Sequence, residues 1–444
     1  MRSSVIGLTA ALFVACGDAP SPQALPTTLT AEVVIHCGTL IDGISDKPLI
    51  DQVILVDQAR IRSVVSADQL GVSATEERAH IDLREFTCLP GLINTHVHFD
   101  GNPEDSVDYS IYARRTAAEN LALVLANAKT TLLTGFTTVR HVGAWFPNAV
   151  YQARDKIRAG EAIGPRILTA GPYLTIPGGG GDLTFPEIPV DQIPPESQLG
   201  IASTSQQFAQ RAEAAIAGGA DFLKVIASGA VFSLGTDPGA PEMSQADIAA
   251  VVKVAKQYDK QVTAHVHSDQ SGRDAILAGV DSLEHASLLD DATIALAHQR
   301  GVALSMDIYN GTYTDTIGRS QGYPEIFLQR NTQTTEAQRA VFKKAYAAGV
   351  TLLYGTDAAV LPHTMGGWQF ATMIEHGMTP MEAILSATSV AADHLRIDAD
   401  VGAVIPGRQA DIIAVKVDPL TDPLSLRDVD VVIQAGIVVK QPPL

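Results

Sequence analysis

Between residues 90 and 357 the sequence carries eight short apolar runs, at 90–98, 137–142, 166–170, 222–226, 262–267, 282–285, 302–306 and 351–357. Each is of strand length, and segments of helical periodicity lie between them. Ile248, Val251, Val252 and Ala255 fall at i, i+3, i+4 and i+7, an apolar stripe on one helix face. Ser244 with Asp247, Thr335 with Gln338, and Thr379-Pro380 with Glu382 read as helix-start signals. Eight apolar strands alternating with helices predict an α/β chain of the (β/α)8 barrel type, and a doubly wound open sheet is the runner-up. The Gly178–Gly181 run lacks the pattern of a phosphate-binding turn.

The regions on either side read differently. Residues 31–37 alternate, and 52–57, 60–65 and 82–90 are further strand candidates. The same character returns at 410–417, 429–433 and 437–440. This predicts one small β-sandwich domain assembled from both ends, residues 32–90 and 400–444, around a barrel at 91–399.

The chain opens with Met1-Arg2, a short apolar stretch, and Ala15-Cys16. This is the layout of a secretory signal. With Cys16 directly after a small residue it resembles a bacterial lipoprotein signal, residues 1–16, although Phe13 stands where Leu is usual. Residues 17–31, rich in Pro, Ser and Thr, read as a flexible tether. An exported protein anchored to a membrane by lipid on Cys16 is expected; an ordinary secreted protein is the alternative. Cys37 and Cys88 are then left, and they read as buried free thiols, with one disulfide as the alternative in an oxidising compartment. The net charge of −18, with no basic cluster, argues against a nucleic-acid partner and against purely electrostatic attachment to anionic lipid. A homo-oligomer is compatible with the composition.

The chemistry concentrates at the ends of the apolar runs. His96 and His98 are two apart, so on a strand they share a face. Lys224 lies within the 222–226 run, and His265, His285 and Asp357 end three others. In a (β/α)8 barrel the C-terminal strand ends form the active-site rim. Singly, each residue has an ordinary structural use: a hydrogen-bonded histidine, a snorkelling lysine or a capping aspartate. Six metal-capable groups on one rim point instead to a metal site.

In this order the residues resemble the amidohydrolase superfamily, in its branch of imidazolonepropionase-like enzymes and metal-dependent prolidases. The resemblance runs from about residue 32 to 440. It is carried by Leu89-Pro90-Gly91-Leu92-Ile93 before the histidine pair, Thr137-Thr138-Val139-Arg140, Lys224-Val225-Ile226-Ala227-Ser228-Gly229, Ala264-His265-Val266-His267, Leu283-Glu284-His285, Tyr354-Gly355-Thr356-Asp357 and Gly407-Arg408-Gln409-Ala410-Asp411. It implies a binuclear hydrolase that cleaves an amide C–N bond with metal-activated hydroxide. His96, His98 and Asp357 would hold one divalent ion and His265 and His285 the second, both most simply zinc. Lys224, as N6-carboxylysine, would bridge them, and Asp357 would be the general base. Of the two histidines in the fifth run the resemblance favours His265, with His267 nearer the mouth.

A buried lysine suits that role. Burial lowers its pKa from ~10.4, and the neutral amine can add carbon dioxide to give an anionic carbamate. Departures from the family pattern fall at His141, Gly180 and Met306-Asp307-Ile308. They make His141, His267, Tyr309 and His363 the candidates for substrate contact. The expected substrate is a small molecule with an amide bond, a dipeptide or N-acyl amino acid. A lactam, another amide or an ester is the alternative on the same site. A surface lipoprotein that keeps the barrel only for binding is the non-enzymatic alternative, opposed by the presence of all six ligand positions.

Overall fold

The computed structural model describes residues 33–69, 79–183 and 189–441. The expected signal at 1–16, its lipid-bearing Cys16 and the tether at 17–31 lie outside these residues.

The described chain opens with β1 (Val33–Leu40), β2 (Leu49–Asp57), β3 (Arg60–Ser66) and β4 (Ala79–Pro90). All eight apolar runs of the middle then form strands: β5 (Leu92–Val97), β6 (Phe136–His141), β7 (Arg166–Thr169), β8 (Leu223–Ile226), β9 (Val262–Val266), β10 (Ser282–His285), β11 (Ala303–Ser305) and β12 (Leu352–Leu353). The chain closes with β13 (Ile412–Val415), β14 (Val431–Gln434) and β15 (Ile437–Lys440).

The two ends join in one seven-stranded sheet, ordered β15-β14-β13-β4-β1-β2-β3. Its buried face packs Ile35, Leu40, Ile54, Ile61, Ile412 and Ile433. Gly38 is needed where β1 meets β4, because a Cβ there would lie 2.0 Å from the Arg84 carbonyl oxygen. Cys37 and Cys88 sit on these two neighbouring strands, with Cα atoms 6.0 Å apart, and they form a disulfide. The free-thiol reading is therefore corrected. β1 and β4 are parallel and far apart in sequence, so no hairpin signal announces their pairing.

The middle strands are all parallel, in a five-stranded sheet β12-β11-β10-β9-β8 and a three-stranded sheet β5-β6-β7. Single parallel bridges link their edges, Val97 with Ala358 and Leu174 with Val225. The ladder is thus not one regular eight-stranded run. β12 is only two residues long, and beyond it Asp357 takes a left-handed backbone (φ 54°), which no regular strand accommodates. Side chains nevertheless cross between the sheets: Arg140 of β6 reaches Glu284 of β10 at 2.5 Å.

The expected helix starts hold at Ser244 and Thr379, each closed by a reciprocal side-chain box. Thr335 is different. It lies in the middle of the helix Glu325–Ala347, which starts after Pro324, and its hydroxyl donates to the Asn331 carbonyl at 2.7 Å. Gln338 is freed from any cap and faces the strand ends. Among the described residues no helix is long and apolar enough to cross a membrane.

Candidate metal centre

The C-terminal ends of the parallel strands surround a cavity lined by His96, His98, Lys224, His265, His285 and Asp357. All six ligand candidates therefore meet in one place. Strand period 2 delivers His96 and His98 to the same side, with ring centroids 5.3 Å apart. His285 and Asp357 both sit at strand ends with positive φ, 65° and 54°. Such backbones are rare for non-glycine residues, and here they turn two side chains into the cavity mouth.

The hydrogen bonds fix where the protons are. His96 Nδ1 lies 2.8 Å from Glu284 Oε2. Glu284 is an acceptor there: burial alone would raise its pKa, but Arg140 and His96 hold it well below the usual range. His96 therefore holds a proton on Nδ1, and Nε2 is the atom it turns to the cavity. His98 Nδ1 lies 2.9 Å from the Gly143 carbonyl oxygen, which can only accept, so Nδ1 donates and Nε2 is the atom turned to the cavity. The Tyr173 hydroxyl meets the same Nδ1 at 2.9 Å. His285 Nδ1 donates to Asp307 Oδ1 at 2.9 Å, which again turns Nε2 to the cavity.

The Nε2 atoms of His96 and His98 converge on a carboxylate. Asp357 Oδ1 is 3.3 Å from His96 Nε2 and 3.4 Å from His98 Nε2. Burial would push the Asp357 carboxyl up, but His96, His98 and His285 hold it well below the ordinary value, so it is ionised. Three atoms able to ligate a metal thus meet at one point, and His96 Nε2 is buried without a hydrogen-bond partner. A metal ion in place of a shared proton would satisfy such a set.

Donor atoms of His96, His285 and Asp357 lie within 4.8 Å of one another, as do those of His265, His267 and His285. His285 belongs to both groups. Burial pushes the His265 imidazole well below its usual pKa and that of His267 down to about 3, so both are neutral. Lys224 is buried at their side. Burial lowers its pKa to about 8.

Of the four proposed substrate contacts, only His267 lines the cavity, and it does so within a metal-capable cluster rather than further out. His141 is fully buried, and its Nε2 accepts the Phe99 backbone N–H at 2.8 Å. His363 is buried against Gly101 and Thr131. Tyr309 precedes the helix Asn310–Gln321 with its ring beside Trp368, outside the lining. The wall is formed instead by residues the sequence did not single out. Tyr109, Tyr112, Trp145, Tyr173 and Phe232 make one side. Asn310, Asn331, Thr334 and Gln338 make the other. The spacing of His265 and His267 could have revealed the His267 position, since period 2 places both on one face. The aromatic wall comes from loops and short helices that carry no periodic signal.

The amidohydrolase family model matches residues 87–439. The chain belongs to the amidohydrolase family. It is a hydrolase of carbon–nitrogen bonds within the prolidase-like branch. It is 33% identical to a Xaa-Pro dipeptidase of known structure, crystallised with methionine in its active site, over 92% of this chain and 99% of that one, with a TM-score of 0.85. A prolidase-type structure from Bifidobacterium longum is 27% identical, covering 93% of this chain and 96% of its own, with a TM-score of 0.76. Ochratoxinase from Aspergillus niger is 27% identical over 431 residues, 90% of this chain and 85% of its own.

Proposed function

We propose that this amidohydrolase cleaves the amide bond of a small molecule, a dipeptide or N-acyl amino acid, at a binuclear zinc centre. The observation that carries the reading is the convergence of His96 Nε2, His98 Nε2 and Asp357 Oδ1 at the strand ends. These three would hold one ion, His265 and His285 the second, and carboxylated Lys224 would bridge them. His267 is an added donor beside the second position. Divalent ions bound there would supply Lewis-acid activation of water and of the amide carbonyl.

The protein's own groups do the rest. Glu284, Asp307 and the Gly143 carbonyl hold the imidazoles in the tautomer that keeps their lone pairs inward. Asp357, ionised and in reach of Asn310 at 3.3 Å, can take a proton at its carboxylate and return it to the leaving nitrogen. The aromatic side of the cavity favours substrates with a ring, which keeps aromatic amides as a second reading. In this reading the two parallel sheets work as one (β/α)8 barrel at 91–399, beside a terminal domain of 32–90 and 400–444. The chain would be exported and lipid-anchored at Cys16; mass spectrometry of membrane-extracted protein would find a modified N-terminal cysteine, and a soluble mature chain starting elsewhere would reject the anchor.

The test is steady-state hydrolysis of a dipeptide and N-acyl amino acid library by zinc-loaded protein, with and without Lys224. Turnover is expected for the wild type. Lys224→Ala should be inactive, regain part of its rate with added acetate or propionate, and Lys224→Arg should not be rescued. No turnover of any amide, or full activity of unsupplemented Lys224→Ala, would overturn the reading.

A further inference from the structure

Phe232 reaches the cavity from the segment that follows β8, and nothing regular holds that segment in place. A buried cation ties it to a neighbouring helix. Arg330, on the helix Glu325–Ala347, is 4% exposed. Its guanidinium donates to the carbonyl oxygens of Ala230 at 3.2 Å and Gly235 at 2.9 Å, and also to that of Ser233. It pairs with Asp237 at 3.0 Å. The fork of one arginine thus spans residues 230–237 from end to end. Arg330 itself does not line the cavity. A buried guanidinium is not left unpaired cheaply, so the segment and the helix are tied to each other.

The tie fixes the aromatic wall. The Phe232 ring lies 5.4 Å from Phe327 and 5.9 Å from Tyr323, and the Phe232 carbonyl accepts from the Tyr109 hydroxyl at 3.1 Å. Glu242 fastens the far side of the same segment: it accepts from the Thr236 hydroxyl and from the Gly180 N–H at 2.9 Å. The Trp145 indole in turn donates to the Gly181 carbonyl at 2.9 Å. Phe232, Tyr109 and Trp145 therefore stand as one rigid surface facing the strand ends.

We propose that Arg330 is a positioning residue for substrate selection. It sets the 230–237 segment so that Phe232 completes a ring-binding subsite, and the preferred amides carry an aromatic side chain there. This rests on the amide hydrolysis proposed above. The ring stacks on the aromatic wall while the amide lies at the strand ends.

The experiment compares zinc-loaded wild type, Phe232→Ala, Arg330→Met, Arg330→Lys and the Phe232→Ala/Arg330→Met double variant. The probes are Ala-Ala and whichever of Phe-Ala and Ala-Phe the wild type cleaves faster, with N-acetylalanine and N-acetylphenylalanine as the second pair. The wild type should prefer the aromatic member. Arg330→Met and Phe232→Ala should each raise KM for it about three- to tenfold, the range for one lost aromatic contact, and shrink its kcat/KM advantage over Ala-Ala by about the same factor. The double variant should match Phe232→Ala alone, and Arg330→Lys should fall between wild type and Arg330→Met. If Arg330→Met does not fold, the KM shift in Arg330→Lys and Phe232→Ala decides. Turnover without aromatic preference, equal losses of kcat on both probes, or additive effects in the double variant would overturn the proposal alone. No turnover of any probe would remove the amide-hydrolase reading and this inference with it.

Discussion

Replacing Glu284 by Gln tests how the centre is held. Glu284 is completely buried between Arg140 at 2.5 Å and His96 at 2.8 Å, and the Thr263 hydroxyl donates to it as well. Removing its charge leaves the Arg140 guanidinium, itself 2% exposed, without a counter-ion. That should destabilise the fold by about 3–5 kcal/mol. The amide brings a second effect. If its oxygen stays with Arg140 and Thr263, its NH2 faces His96 Nδ1. His96 must then accept at Nδ1 and carry its proton on Nε2, where it would point at Asp357 3.3 Å away. The lone pair that a metal needs is lost, and zinc affinity should fall by about 10–100-fold, the range for disturbing a ligand's hydrogen-bond partner. Urea unfolding and zinc competition titration on the same sample read both effects. Combining Glu284→Gln with Arg140→Met should destabilise less than the sum of the two single changes, because the unpaired charge is gone. Wild-type stability together with wild-type zinc affinity in Glu284→Gln would refute the argument.

Other substitutions probe separate features. Asp357→Asn should lower kcat by about 10²–10⁴ while much of the metal stays bound, and near-normal turnover would place the base elsewhere. Burial pushes the Glu242 carboxyl up to about 7 against its hydrogen bonds from Thr236 and Gly180. Between its ordinary value of 4.5 and about 7 the native state keeps a proton that the unfolded chain has released, so this group's contribution to stability falls as pH rises. Glu242→Gln should remove that fall, gaining about 3 kcal/mol relative to wild type between pH 4 and 8 in paired urea titrations; parallel pH curves would contradict it. Cys37→Ser opens a bridge of sequence separation 51 and should lower stability by about 4 kcal/mol by chain entropy, read by thermal or urea unfolding.

The strands and the metal-capable residues were legible because their signals are local. Apolar runs announce β5 to β12, and a histidine or aspartate at the end of such a run stands out against it. What the sequence left open depends on direction in space. The pieces around Arg140 and Glu284 carry the family resemblance, but only the fold shows that the two are partners across the sheets. Thr335 and Gln338 have the spacing of a helix start, yet the helix is capped at Pro324, eleven residues earlier, and Gln338 instead donates to Asp307 at 2.7 Å. His141 and His363 are polar residues next to the centre, but their rings turn into the protein rather than into the cavity. The aromatic wall gathers Tyr109, Trp145 and Phe232 from three separate loops and short helices, so no window of sequence contains it.

The most direct measurement is the metal content of purified active protein, by elemental analysis per chain, with the rate measured on the same sample. The account predicts about two divalent ions, zinc being favoured by a mostly imidazole donor set, and a parallel loss of metal and activity on chelation, with both restored by zinc. An active sample holding no more than one ion, or activity unchanged after complete removal of metal, would contradict it.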